Sequence, residues 1–144
     1  YYIYAIGDKF NMPNLERMPA FNANLGNKID GEISLPETCC IIGNYAFYEC
    51  SKLSSVTIGN GVISIGDNAF SGCTALASVT IPNSVTSIGA GAFQNCSVLP
   101  TITIPNSVTE IGEGAFSDCN SLVSVKISEN LQVSAEVYLA VAQV

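Results

Sequence analysis

A solenoid of short, stacked coils is the fold this sequence predicts, and three observations predict it. First, closely similar text recurs at a fixed spacing. SIGDNAFSGCTALASVTI begins at Ser64, SIGAGAFQNCSVLPTITI at Ser87 and EIGEGAFSDCNSLVSVKI at Glu110, with the same step between successive starts. A looser copy, IIGNYAFYECSKLSSVTI, begins one period earlier at Ile41. Second, apolar residues keep one phase within the unit. Phe47, Phe70, Phe93 and Phe116 recur with Cys50, Cys73, Cys96 and Cys119, and with Leu53, Leu76, Leu99 and Leu122. Third, Gly- and Pro-containing turns cut each unit into pieces too short for a long helix. One such unit cannot bury its own apolar side chains, so neighbouring units must stack and share a core.

Each unit parses into the same elements. SVTI, from Ser55, alternates small polar with β-branched residues, which predicts a half-buried strand with Val56 and Ile58 inward. A turn follows at Pro36, Gly59, Pro82 and Pro105. VTSI, from Val85, predicts a second short strand with Val85 and Ile88 inward. Gly89 is expected to supply a positive φ where the chain turns again. GAFQNC, from Gly91, predicts a short helical or 3₁₀ turn that drops Phe93 into the core. Burying each Phe contributes about 1.5–3 kcal/mol.

The repeat decays at both ends, as capping coils should. One period before the first copy, residues 31–35 predict a first strand, with Asp30 in the leucine column, Asn24 in the Phe column and Pro19 in the Ile column. Residues 1–34 are therefore expected to be an irregular N-terminal segment with a degenerate capping repeat, with a strand near residues 1–6 and a short helix near 14–18. Residues 35–126 hold the four repeats. Residues 127–144 are expected to form a degenerate C-terminal cap with a short helix N-capped by Ser134. The chain opens at Tyr1 with no Met, basic n-region or cleavage site, so any targeting peptide is expected to have been removed or trimmed away.

The motif LxxVTIPNSVTSIGxxAFxxC, carried from Leu76 to Cys96 and again from Leu99 to Cys119, resembles the leucine-rich repeat of the BspA-like surface proteins of bacteria and some protozoan parasites, which has this same period. The resemblance covers about two-thirds of the chain. It implies a right-handed leucine-rich repeat solenoid, a β/α superhelix. A short parallel sheet forms its concave face, with short second strands and helical or 3₁₀ turns on the other side. It also implies a bacterial surface or extracellular setting and a role in adhesion. Commoner leucine-rich repeats place Asn or Cys where this chain has Thr38, Gly61, Ser84 and Ser107, so no asparagine ladder is expected.

Composition limits the chemistry. The formal net charge is -7 over 144 residues. The five basic residues, Lys9, Arg17, Lys28, Lys52 and Lys126, do not cluster. Nucleic acid is excluded as a partner, because phosphate binding needs several cations on one face. An anionic membrane surface is disfavoured for the same reason, and no apolar run is long enough to span a bilayer. One cysteine per coil gives a line of sulfurs, whereas zinc needs four around one point. The cysteine column therefore reads as small buried thiols, with Cys39 inward and Cys40 outward and accessible. Six unpaired thiols would sit awkwardly outside the cell unless burial protects them.

Catalysis has no footing. The chain has no His to serve as base for a Ser or Cys nucleophile. The carboxylates Glu37, Glu49, Asp67, Glu110, Glu113 and Asp118 fall mostly on turns and read as a solvated rim. No enzyme and no cofactor or metal is expected. The remaining candidate is the outward side of the first strands, with Ser55, Ser78, Thr101 and Ser124 in one column and Thr57, Thr80, Thr103 and Lys126 in the next. Such a hydroxyl-lined face either merely solvates the sheet or docks a partner. It carries no aromatic platform, which favours a protein, such as a host matrix or cell-surface protein, over a glycan. The expected function is an interaction or adhesion module; the alternative is a structural spacer within a larger surface protein.

Overall fold

The structure, a computed structural model, describes residues 30–127 and the backbone of three short strands before them. Within this described part, the strands follow one another as β1 (Ala5–Ile6), β2 (Lys9–Phe10), β3 (Arg17–Met18), β4 (Gly31–Ser34), β5 (Ile41–Ile42), β6 (Leu53–Thr57), β7 (Ser64–Ile65), β8 (Ser78–Thr80), β9 (Ser87–Ile88), β10 (Thr101–Ile104), β11 (Glu110–Ile111) and β12 (Ser124–Ile127). From β3 onward the strands fall alternately on two walls, and each wall is parallel. One wall is the sheet β4-β6-β8 followed by the pair β10-β12; the other is the sheet β11-β9-β7-β5-β3. Pairing joins equivalent residues of successive repeats, as Val56 with Val79 and Ile65 with Ile88. That register is forced, because a one-residue slip would turn every apolar side chain to water.

A third wall carries the phenylalanines, and it is built from turns. The expected helical or 3₁₀ turn is absent there, and backbone hydrogen bonding gives the reason. The N–H groups of Ala92, Gln94 and Cys96 donate three residues back, to Gly89, Gly91 and Phe93. Those of Gly91, Phe93 and Asn95 donate instead to the next coil, at Glu113, Ala115 and Ser117. A helix would need all of them for itself. Alternation satisfies each donor and also ties the coils together. The geometry needs a left-handed residue two places before and two after each Phe. Those places are Tyr45, Asn68, Gly91 and Gly114, then Glu49, Gly72, Asn95 and Asp118, all at positive φ.

Between the walls lies one core. The four phenylalanines are fully buried, as are Leu53, Leu76 and Leu99, while Leu122 and Val125 pack against it half-covered at the C-terminal end. The Phe rings stack in sequence with centroids 5.1, 5.2 and 5.7 Å apart and planes within 9°, 6° and 7° of parallel. Those values lie in the offset-stacked range. The cysteine column does more than fill space: Cys73 Sγ donates to the Phe47 carbonyl at 3.1 Å, Cys96 to Phe70 at 3.2 Å and Cys119 to Phe93 at 3.0 Å. Each of these thiols thus binds the backbone of the preceding coil.

Four further expectations need correction. Gly89 does not have a positive φ. A Cβ there would lie 2.5 Å from the Asp67 backbone nitrogen, so close approach of the preceding coil requires the glycine. Residues 17–18 form β3, where a helix near 14–18 was expected. Met18 pairs with Ile42, so it takes the Ile place that a strict single-period step assigns to Pro19. At the next strand a register shift between Gly31 and Glu32 sets Gly31, and not Asp30, opposite Leu53. Near residues 1–6 the strand is Ala5–Ile6, paired antiparallel with Lys9–Phe10. The C-terminal helix expected after Ser134 lies outside the described residues. In place of an asparagine ladder, the Ser84 and Ser107 hydroxyls are buried with no hydrogen-bond partner.

Candidate binding surface

The first wall puts all eight predicted face residues together. Parallel pairing sets Ser55 beside Ser78, Thr57 beside Thr80, Thr101 beside Ser124 and Thr103 beside Lys126. Strand alternation turns these residues outward while Val56, Val79, Ile102 and Ile104 enter the core. Ser55 and Ser124 are half-buried, and the other six are exposed. The rows run one residue further than the sequence-predicted set at each start. Glu32 pairs with Ser55 and Ser34 with Thr57, and both are exposed. One period back from Ser55 and Thr57 finds them. The face therefore carries a carboxylate at one end and the Lys126 ammonium at the other, with hydroxyls between.

The face is interrupted once. β8 and β10 neighbour each other but do not pair. At the lead-in to these strands the Ala77 N–H donates to Ser54 and the Val123 N–H to Pro100. The intervening member of that column is Pro100 itself, which has no N–H to give to Ala77. The gap in the ladder falls where a donor is chemically missing.

On the second wall several polar side chains are committed. Thr86 Oγ1 and Thr109 Oγ1 each bond the carbonyl of the coil before, both at 3.3 Å. Asn44 Oδ1 accepts from the Asp67 N–H at 2.8 Å, and Asp67 Oδ1 accepts from the Ala90 N–H at 2.9 Å. A shallow open groove of about 540 Å³ runs along this wall, over Ser64, Asp67, Ser87 and Glu110. The hydroxyls of Thr57, Thr80, Thr101 and Thr103 differ, since they make no hydrogen bond within the described residues and are open to a partner. The weighed carboxylates Glu37, Glu49, Asp67, Glu110, Glu113 and Asp118 all reach solvent.

The four thiols of the cysteine column are poor candidates for chemistry. Burial pushes the Cys50 thiol up to about 12. It drives Cys73, Cys96 and Cys119 upward as well, against the opposing effect of their backbone hydrogen bonds. A nucleophile or metal ligand needs the thiolate, which this environment disfavours. Cys39 is buried with Sγ 3.5 Å from the Ile41 carbonyl, and Cys40 is exposed, both as the column phases predict. Among the described residues no group of three or more His, Cys, Asp or Glu could hold a metal ion. Among the same residues no helix is long and apolar enough to cross a membrane.

One surface feature was not legible in the repeat. Tyr45 and Tyr48 stand exposed on the turn wall, 47% and 41% accessible, with ring centroids 5.2 Å apart and planes at 74°. The equivalent places in the next coil hold Asn68 and Ser71.

Comparison with known proteins agrees with this architecture. The profile of the BspA type leucine rich repeat region matches residues 26–139 in six copies. A leucine-rich repeat protein from Bacteroides ovatus is 32% identical, with a TM-score of 0.67 over 88% of this chain and 38% of that one. A leucine-rich repeat protein of T. pallidum is 31% identical, with a TM-score of 0.69 over 87% of this chain and 66% of that one. The pneumococcal vaccine antigen PcpA shares the fold at 22% identity, with a TM-score of 0.76 over 85% of this chain and 29% of that one. This chain thus spans less than two-thirds of each of these three structures. No match is found among curated proteins.

Proposed function

This chain belongs to the BspA-type leucine-rich repeat family, and we propose that it is a non-enzymatic protein-interaction module of a cell-surface or secreted protein. It binds through the outward rows of its first wall. The carrying observation is the contrast among the threonines. On the second wall the hydroxyls of Thr86 and Thr109 are bonded to the neighbouring coil. On the first wall those of Thr57, Thr80, Thr101 and Thr103 face water without an internal partner among the described residues, at fixed spacing on a rigid stack. Preorganised donors and acceptors lose little freedom on docking. The absence of any histidine and the dispersed carboxylates support a binding role over a catalytic one. The surface location and the adhesive role are what membership of a family of surface proteins implies. A host matrix or cell-surface protein fits the face better than a glycan, because the rows hold no aromatic ring.

The test uses the immobilised chain against a panel of host matrix and cell-surface proteins, with a glycan array in parallel. The paired variant Thr80→Ala, Thr103→Ala is expected to weaken capture of the bound protein about tenfold, the size of one or two interface contacts. A structural spacer would capture nothing, or lose nothing when both threonines are removed.

A further inference from the structure

Coil for coil, the turn wall is most irregular at Tyr45, Tyr48 and Glu49. Tyr45 and Glu49 occupy the two left-handed positions of their coil, at φ 58° and 55°. The later coils fill these positions with Asn68, Gly91 and Gly114, and with Gly72, Asn95 and Asp118. Glycine, asparagine and aspartate tolerate that conformation, whereas a bulky side chain there is strained. Among these four coils, this one alone holds large side chains at both places. Both tyrosines are about half exposed and meet edge to face, which occupies one face of one ring. Neither ring contributes to the core. Strain kept for side chains that the fold does not use points to a use outside the fold.

We propose that Tyr45, Tyr48 and Glu49 form a second contact site, separate from the threonine face, that takes a lysine or arginine side chain of a partner polypeptide. The chemistry is that of a cation held over tyrosine faces and closed by a carboxylate. Glu49 is exposed and makes no ion pair among the described residues, so its charge is available. It lies beside the Tyr48 hydroxyl, which hydrogen-bonds to it, and its charge raises the pKa of a phenol that is neutral at physiological pH in any case. The protein's net charge of -7 draws cationic segments from a distance. A sugar ring also stacks on tyrosine and can donate its hydroxyls to a carboxylate, but a neutral sugar gains nothing from the net charge of -7.

The molecule supplies its own control. Tyr45→Asn, Tyr48→Ser and Glu49→Gly rewrite this coil with the residues of the next, Asn68, Ser71 and Gly72, which fold into the same turn. The probe is a capped peptide alternating glycine with arginine, titrated into the isotope-labelled chain. A twin peptide in which citrulline replaces arginine, and a short neutral oligosaccharide, are titrated in parallel. The ring resonances of Tyr45 and Tyr48 are expected to move with the arginine peptide and not with its citrulline twin. The peptide affinity, read in every variant from backbone amide shifts of the turn wall, should weaken at high salt and fall at least tenfold in the triple variant. Tyr48→Ser alone should fall in the same direction, which keeps the test decisive should the triple variant misfold. The Thr80→Ala, Thr103→Ala pair should respond like the parent, which separates this site from the first face. Equal response to the citrulline peptide, ring shifts produced by the sugar alone, no ring shift at millimolar peptide, or full binding by the folded triple variant would each overturn the proposal.

Discussion

The turn wall and the first sheet wall hold the same coils together by different means. On the sheet wall the strands are extended, so any non-proline residue can supply its N–H. One proline, Pro100, then suffices to open the ladder between β8 and β10. On the turn wall each coil from that of Tyr45 to that of Asn95 reaches the next through donors at every second residue. This wall makes the opposite demand: backbone N–H groups are never missing from it, but a left-handed residue is required twice per coil. The sheet wall is vulnerable to loss of a donor, and the turn wall to loss of conformational freedom. The outward positions of the sheet wall are consequently tolerant of side-chain identity.

The largest expected effect acts on the thiols behind the turn wall all at once. Burial raises these thiols in the folded chain, Cys50 to about 12 from an ordinary value of 9.0. The folded state therefore keeps protons that the unfolded state releases first. Their contribution to stability is complete below pH 9 and is lost as pH rises from 9 towards the folded values. Urea midpoints measured from pH 8 to pH 11 should fall steeply, and less steeply in Cys96→Ala. A flat profile would mean that the sulfurs are not enclosed. Next in size is Phe93→Ala. Its ring lies between two stacked neighbours that cannot both collapse into the space, so the loss should be about 3–5 kcal/mol by chemical denaturation. A loss below about 1 kcal/mol would contradict the cavity argument on which that figure rests.

The two walls were not equally readable from sequence. The sheet wall and the core columns were, because Leu76, Val79, Ile81, Phe93 and Cys96 recur as the same or similar letters in each unit, and identity at fixed phase translates directly into shared burial. Even Glu32 and Ser34 follow from the period. The turn wall was not, because its requirement is a backbone conformation that several residue types can meet. Asn68, Gly91 and Gly114 share no side chain, only tolerance of positive φ. Gly89 recurs visibly, but a recurring glycine does not say whether it serves φ or space, and here it serves space. Tyr45 and Tyr48 escape for the converse reason. A periodic reading values agreement between units, and these residues matter where their unit departs from the rest.

Gly91→Ala tests the requirement of the turn wall at its midpoint. Gly91 has φ +62°, and an added Cβ would stand 2.5 Å from Asn68 Oδ1 of the coil before. The left-handed strain alone costs about 1–2 kcal/mol. The Asn68 side chain can swing away, so the total should stay near that value. Amide exchange should quicken at position 91, which donates to Glu113, and at Gln94, which donates to the carbonyl of Gly91. It should remain unchanged at Ala77 on the sheet wall. Loss of protection spread evenly over both walls would show that they are not separable.

The smallest effect comes from repairing the sheet wall with Pro100→Ala. The new N–H would face the Ala77 carbonyl as the Ala77 N–H faces Ser54 and the Val123 N–H faces Pro100. One backbone hydrogen bond contributes about 0.5–1.5 kcal/mol. Removing proline returns conformational freedom to the unfolded chain, which costs about 0.4–1 kcal/mol. The two nearly cancel, so the denaturation midpoint should barely move. Hydrogen exchange is the informative readout, because it sees the bond and not the balance. The amide created at position 100 should exchange as slowly as those of Ala77 and Val123, and β8 and β10 should become one ladder. Fast exchange at that amide would show that the strands are held apart by something other than a missing donor. Side-chain packing at Leu99 would then be the place to look, since that residue leads the chain into β10 and is fully buried.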